Sequence, residues 1–129
     1  MDKKIKVLVV DDEEMMRDIL SRTLKPFGYQ VFTAKSGKEA ITSCRHESPD
    51  IVLLDIRMPD QDGIETLRQI REIDPHKKSA VIMLTGHGDI NTARQAMQLG
   101  AYDYVTKPFD LKFIHSLFEE VEREKECEN

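Results

Sequence analysis

The sequence predicts a doubly wound α/β fold with a five-stranded parallel sheet in a single domain. Three observations carry that prediction. Five short runs rich in Val, Ile and Leu alternate with five amphipathic helical runs. The strongest strand runs are continuously apolar, as strands covered on both faces must be. A length of 129 residues is that of one domain.

Ile5–Val10 (IKVLVV) is the first strand run, bounded on both sides by charge. Met15–Phe27 is the first helical run, with Met16, Ile19, Leu20, Thr23, Leu24 and Phe27 at helical spacing and Pro26 and Gly28 closing it. Tyr29–Thr33 (YQVFT) reads as the second strand. Ser36 and Glu39 match a capping box, so a helix runs from there to about His46. Pro49 punctuates before Ile51–Leu54, the third strand. Met58-Pro59-Asp60-Gln61-Asp62-Gly63 is a turn-rich loop in which Asp60 and Asp62 are turn formers. Ile64, Leu67, Ile70 and Ile73 then line one face of a helix. Ala80–Leu84 is the fourth strand, and Asp89 can cap the helix that ends at Gly100. Tyr102–Val105 is the fifth strand. Asp110 caps the last helix, with Phe109 and Ile114 at staple spacing and Leu111, Ile114, Leu117, Phe118 and Val121 forming its apolar stripe. Crossovers between parallel strands are expected to be right-handed.

Composition removes several function classes. An apolar fraction of 40% is enough for a core and argues against wholesale disorder. The net charge of −5 disfavours a nucleic-acid-binding surface. Most of that excess lies in residues 119–129, where six Glu face only Arg123 and Lys125. No apolar run approaches the ~20 residues of a membrane helix, and the N-terminus makes a poor signal peptide. Cys44 and Cys127 share no motif and read as two free thiols in a reducing, cytoplasmic setting. Histidines 46, 76, 87 and 115 have no metal-ligand spacing.

In a doubly wound sheet, ligands bind beyond the carboxyl ends of the strands. The first strand ends in Asp11-Asp12, the third in Asp55, the fourth in Thr85 and the fifth in Thr106-Lys107. Three carboxylates close together raise one another's pKa unless positive charge offsets them. Oxygen-only ligands suit a hard divalent cation such as Mg²⁺, and Lys107 brings a second positive charge. A carboxylate held against a cation and a lysine is equipped for phosphoryl transfer, with an aspartyl phosphate as the covalent product. Taken singly, Asp11-Asp12 could cap a helix and Asp55 could close a turn; their joint placement with Lys107 favours chemistry.

The segments VLVVDDE, IVLLDIRMPDQDG, VIMLTGHGD and YDYVTKPF, in this order and spacing over about residues 5–118, resemble the receiver domain of two-component response regulators. The resemblance implies a flavodoxin-like sheet of order 2-1-3-4-5 and a receiver domain over 1–121. After Val121 no apolar position continues the stripe, so 122–129 reads as an acidic tail, a solvated and fraying helix end. The resemblance also implies that Asp55 is the phosphoacceptor and that Asp11, Asp12, Asp55 and the Arg57 backbone carbonyl hold Mg²⁺. Thr85 would hydrogen-bond a phosphoryl oxygen, and Lys107, presented by a cis Lys107-Pro108 bond, would pair with the phosphoryl group. Tyr104 would change rotamer with Thr85. The TGHGD loop looks most like members that precede ATPase-type transcription activators.

On that resemblance a sensor histidine kinase supplies the phosphoryl group from a phosphohistidine, and the domain catalyses its own phosphorylation and autodephosphorylation. The phosphoryl charge would remodel a surface of the fourth helix, fifth strand and fifth helix, which would meet an effector domain or protein. Dimerisation through this face on phosphorylation stays open. Arg57 and His87, two residues after Asp55 and Thr85, would flank the phosphoryl group and slow its hydrolysis. Three alternatives fit these residues less well. A haloacid-dehalogenase-type phosphatase needs a carboxylate where Arg57 stands. A flavodoxin-like cofactor binder needs a phosphate loop where Asp11-Asp12 would repel one. A docking module without phosphorylation has no use for the intact acidic set.

Overall fold

The computed structural model describes residues 4–58, 60–76, 78–86 and 90–127. His87 and Asp89 therefore lie outside the described residues. The chain runs β1 (Lys6–Val10), α1 (Glu14–Leu24), a 3₁₀ turn (Lys25–Phe27), β2 (Gln30–Ala34), α2 (Gly37–Glu47), β3 (Ile51–Asp55), α3 (Gly63–Ile73), β4 (Ala80–Thr85), α4 (Ile90–Gln98), β5 (Asp103–Thr106) and α5 (Leu111–Cys127). The strands are all parallel, in the order β2-β1-β3-β4-β5. The order reverses between β1 and β3, so their carboxyl ends open a crevice there.

Strand alternation divides the core into two layers. Leu8, Val10, Val52, Leu54, Val81 and Met83 face α2, α3 and α4, where they meet Ala40, Leu67, Ile70 and Ala96. Val7, Val9, Ile51, Leu53, Ile82 and Leu84 face α1 and α5, where they meet Leu20, Leu24, Ile114, Leu117 and Phe118. The central strands are buried on both sides, which is why their sequences lack polar alternation.

Element ends follow local chemistry. The first helical run divides: α1 stops at Leu24, and Lys25–Phe27 tightens into a 3₁₀ turn around Pro26, which has no N–H to continue the α-helical ladder. Gly28 then takes φ +95°, the left-handed conformation open to glycine. Phe27 does not join the core. It is 54% exposed and stacks on His115, with ring centroids 3.8 Å apart. The Ser36 hydroxyl accepts the Glu39 N–H at 3.2 Å, while the Glu39 carboxylate reaches one residue further back than a capping box requires and accepts from Lys35 N–H. At α5, Asp110 accepts the Lys112 N–H at 2.9 Å, and Phe109 packs against the core layer that contains Ile114.

The acidic stretch after Val121 continues α5 as helix to Cys127. Its Lys125 ammonium donates to the Lys78 carbonyl and lies 3.8 Å from Asp50, which precedes β3. These ties hold the last turns against the amino ends of the strands. The same end carries Arg71, whose Nη2 donates to the Ser79 and Gly100 carbonyls at 3.0 and 3.1 Å. Asp74 accepts the Lys78 and Ser79 N–H groups beside it.

Candidate functional site

The carboxyl ends of β1, β3, β4 and β5 bring together four of the residues read from the sequence. Asp11 and Asp12 follow β1, Asp55 ends β3, and Lys107 follows β5. One oxygen from each of Asp11, Asp12 and Asp55 lies within 4.8 Å of the others. The Lys107 ammonium sits 3.5 Å from Asp55 Oδ1 and 3.8 Å from Asp11 Oδ2. Its backbone N–H donates to the Thr85 carbonyl at 2.7 Å, and the Lys107-Pro108 peptide is cis.

Asp11 is fixed on three sides. Its N–H donates to the Ala34 carbonyl at 3.1 Å, its Oδ1 accepts the Glu13 N–H at 2.9 Å, and its carbonyl accepts from Arg17 Nη1 at 2.8 Å. Asp11 therefore shapes its own loop as well as facing the site. Its Oδ2 is buried and has no hydrogen-bond partner. Burial pushes the Asp11 carboxyl above the usual Asp range, against the Glu13 N–H and Lys107, which hold it down. Burial likewise raises Asp55; Lys107 opposes the shift and Asp11 adds to it. Arg57 N–H donates to Asp55 Oδ1 at 3.3 Å.

This donor set suits Mg²⁺. It is all oxygen, with one carboxylate exposed and two buried, and it contains a buried oxygen that no protein donor satisfies. The site is shaped by backbone as well as by charge. A Cβ on Gly63 would lie 2.7 Å from both the Asp55 carbonyl oxygen and the Ile56 Cα, so only glycine lets α3 start this close to β3.

Thr85 is buried at the end of β4, and its hydroxyl donates to the Val105 carbonyl at 3.3 Å. Its hydroxyl thus faces β5, and no bond to a site carboxylate is seen among the described residues. Tyr104 is half-buried against the core layer under α4. Arg57 is exposed beside Asp55. Sequence reasoning missed Arg17 and the steric role of Gly63. Arg17 acts on a backbone carbonyl six residues away, and Gly63 acts by lacking a side chain, so neither shows in residue chemistry.

Residues 7–119 match the family described as the response regulator receiver domain. Regulatory protein AtoC of Escherichia coli is 40% identical over 106 residues, covering 82% of this chain and 23% of its own length. Sporulation initiation phosphotransferase F of Bacillus subtilis is 38% identical over 109 residues, covering 84% of this chain and 86% of its own. A crystal structure of a response regulator receiver domain protein from Clostridium thermocellum superposes with a TM-score of 0.90 at 35% identity, covering 97% of this chain and 99% of that one. The chain spans about a quarter of the length of AtoC and of the NtrC regulators it also matches.

Proposed function

The chain belongs to the response regulator receiver domain family, and from that premise we propose that Asp55 accepts a phosphoryl group from a phosphohistidine on a sensor histidine kinase. The observation that carries this reading is the placement of Lys107 within 4 Å of Asp55 and Asp11, in one crevice with Asp12. An Asp55 oxygen attacks phosphorus; the new P–O bond forms as the P–N bond breaks, and the imidazole leaves with its electron pair. Lys107 neutralises charge on the transferred group. Asp11, Asp12, Asp55 and the Arg57 carbonyl would hold Mg²⁺, which when bound would add positive charge at the phosphoryl oxygens. Small phosphodonors such as acetyl phosphate serve as well, since nucleophile, metal ligands and lysine all belong to this chain.

Thr85 then exchanges its bond to Val105 for one to a phosphoryl oxygen, and Tyr104 turns into the space released. The altered surface is α4, β5 and α5. The matches to AtoC and NtrC favour an attached effector of the ATPase-type activator class and a cytoplasmic transcription regulator as the whole protein; no described helix is long and apolar enough to cross a membrane. Arg57, exposed beside Asp55, slows hydrolysis of the phosphoryl group; the same role for His87, which lies outside the described residues, rests on the sequence alone.

Incubation with acetyl phosphate and Mg²⁺ should add one phosphoryl group by mass spectrometry, and none to Asp55→Asn. Equal labelling of the variant would place the nucleophile elsewhere. The label should decay faster in Arg57→Ala. Beryllofluoride, a phosphoryl mimic, should shift amide resonances across α4, β5 and α5; changes confined to the crevice would remove the switch.

A further inference from the structure

The loop that follows Asp55 is fastened through Asp60 to the start of α2, 22 and 23 residues earlier in the chain, and the fastening bears on the site. At the start of α2 the Ser36 hydroxyl takes the Glu39 N–H, which leaves the Gly37 and Lys38 N–H groups without an intrahelical partner. Asp60 supplies both. Its Oδ1 accepts from Gly37 at 3.1 Å and its Oδ2 from Lys38 at 3.2 Å. Next to it, the Gln61 amide donates to the buried Thr66 hydroxyl at 2.7 Å. The fit is tight: a Cβ on Gly37 would come within 2.5 Å of Gln61 Cγ and 2.6 Å of Thr66 Oγ1. At its ends the same loop is closed by the Gly63 N–H on the Ile56 carbonyl and by Asp62 on the Glu65 N–H. Arg57 sits inside this frame, with its N–H on Asp55 Oδ1.

We infer that Asp60 is a positioning residue, which uses the amino end of α2 as an anchor to hold the Arg57 backbone beside Asp55. Among the described residues no hydrogen bond or ion pair joins Asp60 or α2 to Asp11, Asp12 or Asp55; their effect passes through the loop. The inference rests on the functional reading above, because Arg57 matters here through its carbonyl, offered to Mg²⁺. Losing a group that orients a metal ligand typically weakens metal binding by tenfold or more. Removing Asp60 is expected to act at the low end of that range, since it works on one ligand of the set.

The test is an Mg²⁺ titration of the full chain, followed by amide NMR, for wild type, Asp55→Asn, Asp60→Ala, Asp60→Asn and Gly37→Ala. Wild type should bind, and Asp55→Asn should bind far more weakly; failure of that pair overturns the functional reading itself. With that pair as expected, Asp60→Ala should raise the Mg²⁺ Kd roughly tenfold. Asp60→Asn keeps one acceptor oxygen and should fall between. Gly37→Ala, which pushes Gln61 from the other side, should act in the same direction, and combining it with Asp60→Ala should add little, as for two changes to one joint. In the metal-free protein, Asp60→Ala should also speed hydrogen exchange at the Arg57 amide. Unchanged Mg²⁺ affinity, or faster exchange confined to Gly37 and Lys38, would reduce Asp60 to a helix cap and overturn the inference.

Discussion

Asp11 commits one carboxylate oxygen to its own loop and leaves the other buried without a donor. Together with Asp55 it forms a pair of buried carboxyls, both held above the ordinary Asp range by burial. A carboxyl raised in the folded protein binds its proton more tightly there than in the unfolded chain. Its contribution to stability is complete below the ordinary Asp pKa and is lost as pH rises through the raised value. At neutral pH without Mg²⁺ the ionised cluster opposes folding. Asp55→Asn is therefore expected to be more stable than wild type in EDTA at pH 7, on the order of 1 kcal/mol. Urea melts should show that gap closing as pH falls through the raised value, and gone once pH is below about 4. Asp11, Asp12, Asp55, Thr85 and Lys107 were legible in the sequence because strand ends in this topology converge on one edge. What was not legible is the state of Thr85, whose hydroxyl is turned toward β5, because a rotamer depends on neighbours brought together only by folding.

The helices are anchored unequally. On the same side of the sheet, α3 buries Ile64, Leu67 and Ile70, whereas α4 buries only Ala93 and Ala96. Its two large apolar residues, Ile90 and Met97, are 51% and 40% exposed. At about 25 cal/mol per Å² of apolar surface, two methyl groups hold a helix far less firmly than three branched side chains. Amide hydrogen exchange in α4 should accordingly be faster than in α3; equal protection would mean α4 is too well held to serve as the moving part. The number, type and order of the elements could be read from periodicity. Their ends could not. β2 and β5 each begin one residue later than read, since strand ends depend on which neighbour supplies the ladder. The last helix outruns its apolar stripe because polar ties, not burial, hold residues 122–127.

The molecule has two unlike poles. At the carboxyl ends of the strands, like charges crowd together and a buried oxygen is unsatisfied. At the amino ends, polar groups of opposite or neutral character are tied across the chain: Arg71 Nη2 bridges the Ser79 and Gly100 carbonyls, and the Ser79 hydroxyl donates to the Pro49 carbonyl at 2.7 Å. Arg71 Nε and Nη1 are buried without a hydrogen bond, with Nη1 3.5 Å from Asp74. Removing a largely buried, bonded arginine leaves acceptors stranded, so Arg71→Ala should cost about 2–4 kcal/mol in a urea melt. Its labelling by acetyl phosphate, measured well below its melting temperature, should match wild type. A parallel loss of labelling would show that the poles are not independent.

Lys125 fastens the end of α5 to the stable pole, next to Asp50 and Lys78. That end of α5 lies about a full strand length, roughly 17 Å, from the Asp55 carboxylate at the opposite pole. Under the proposed function, whatever is joined at that end would sense phosphorylation most directly through a shift in the helices that run between the two poles.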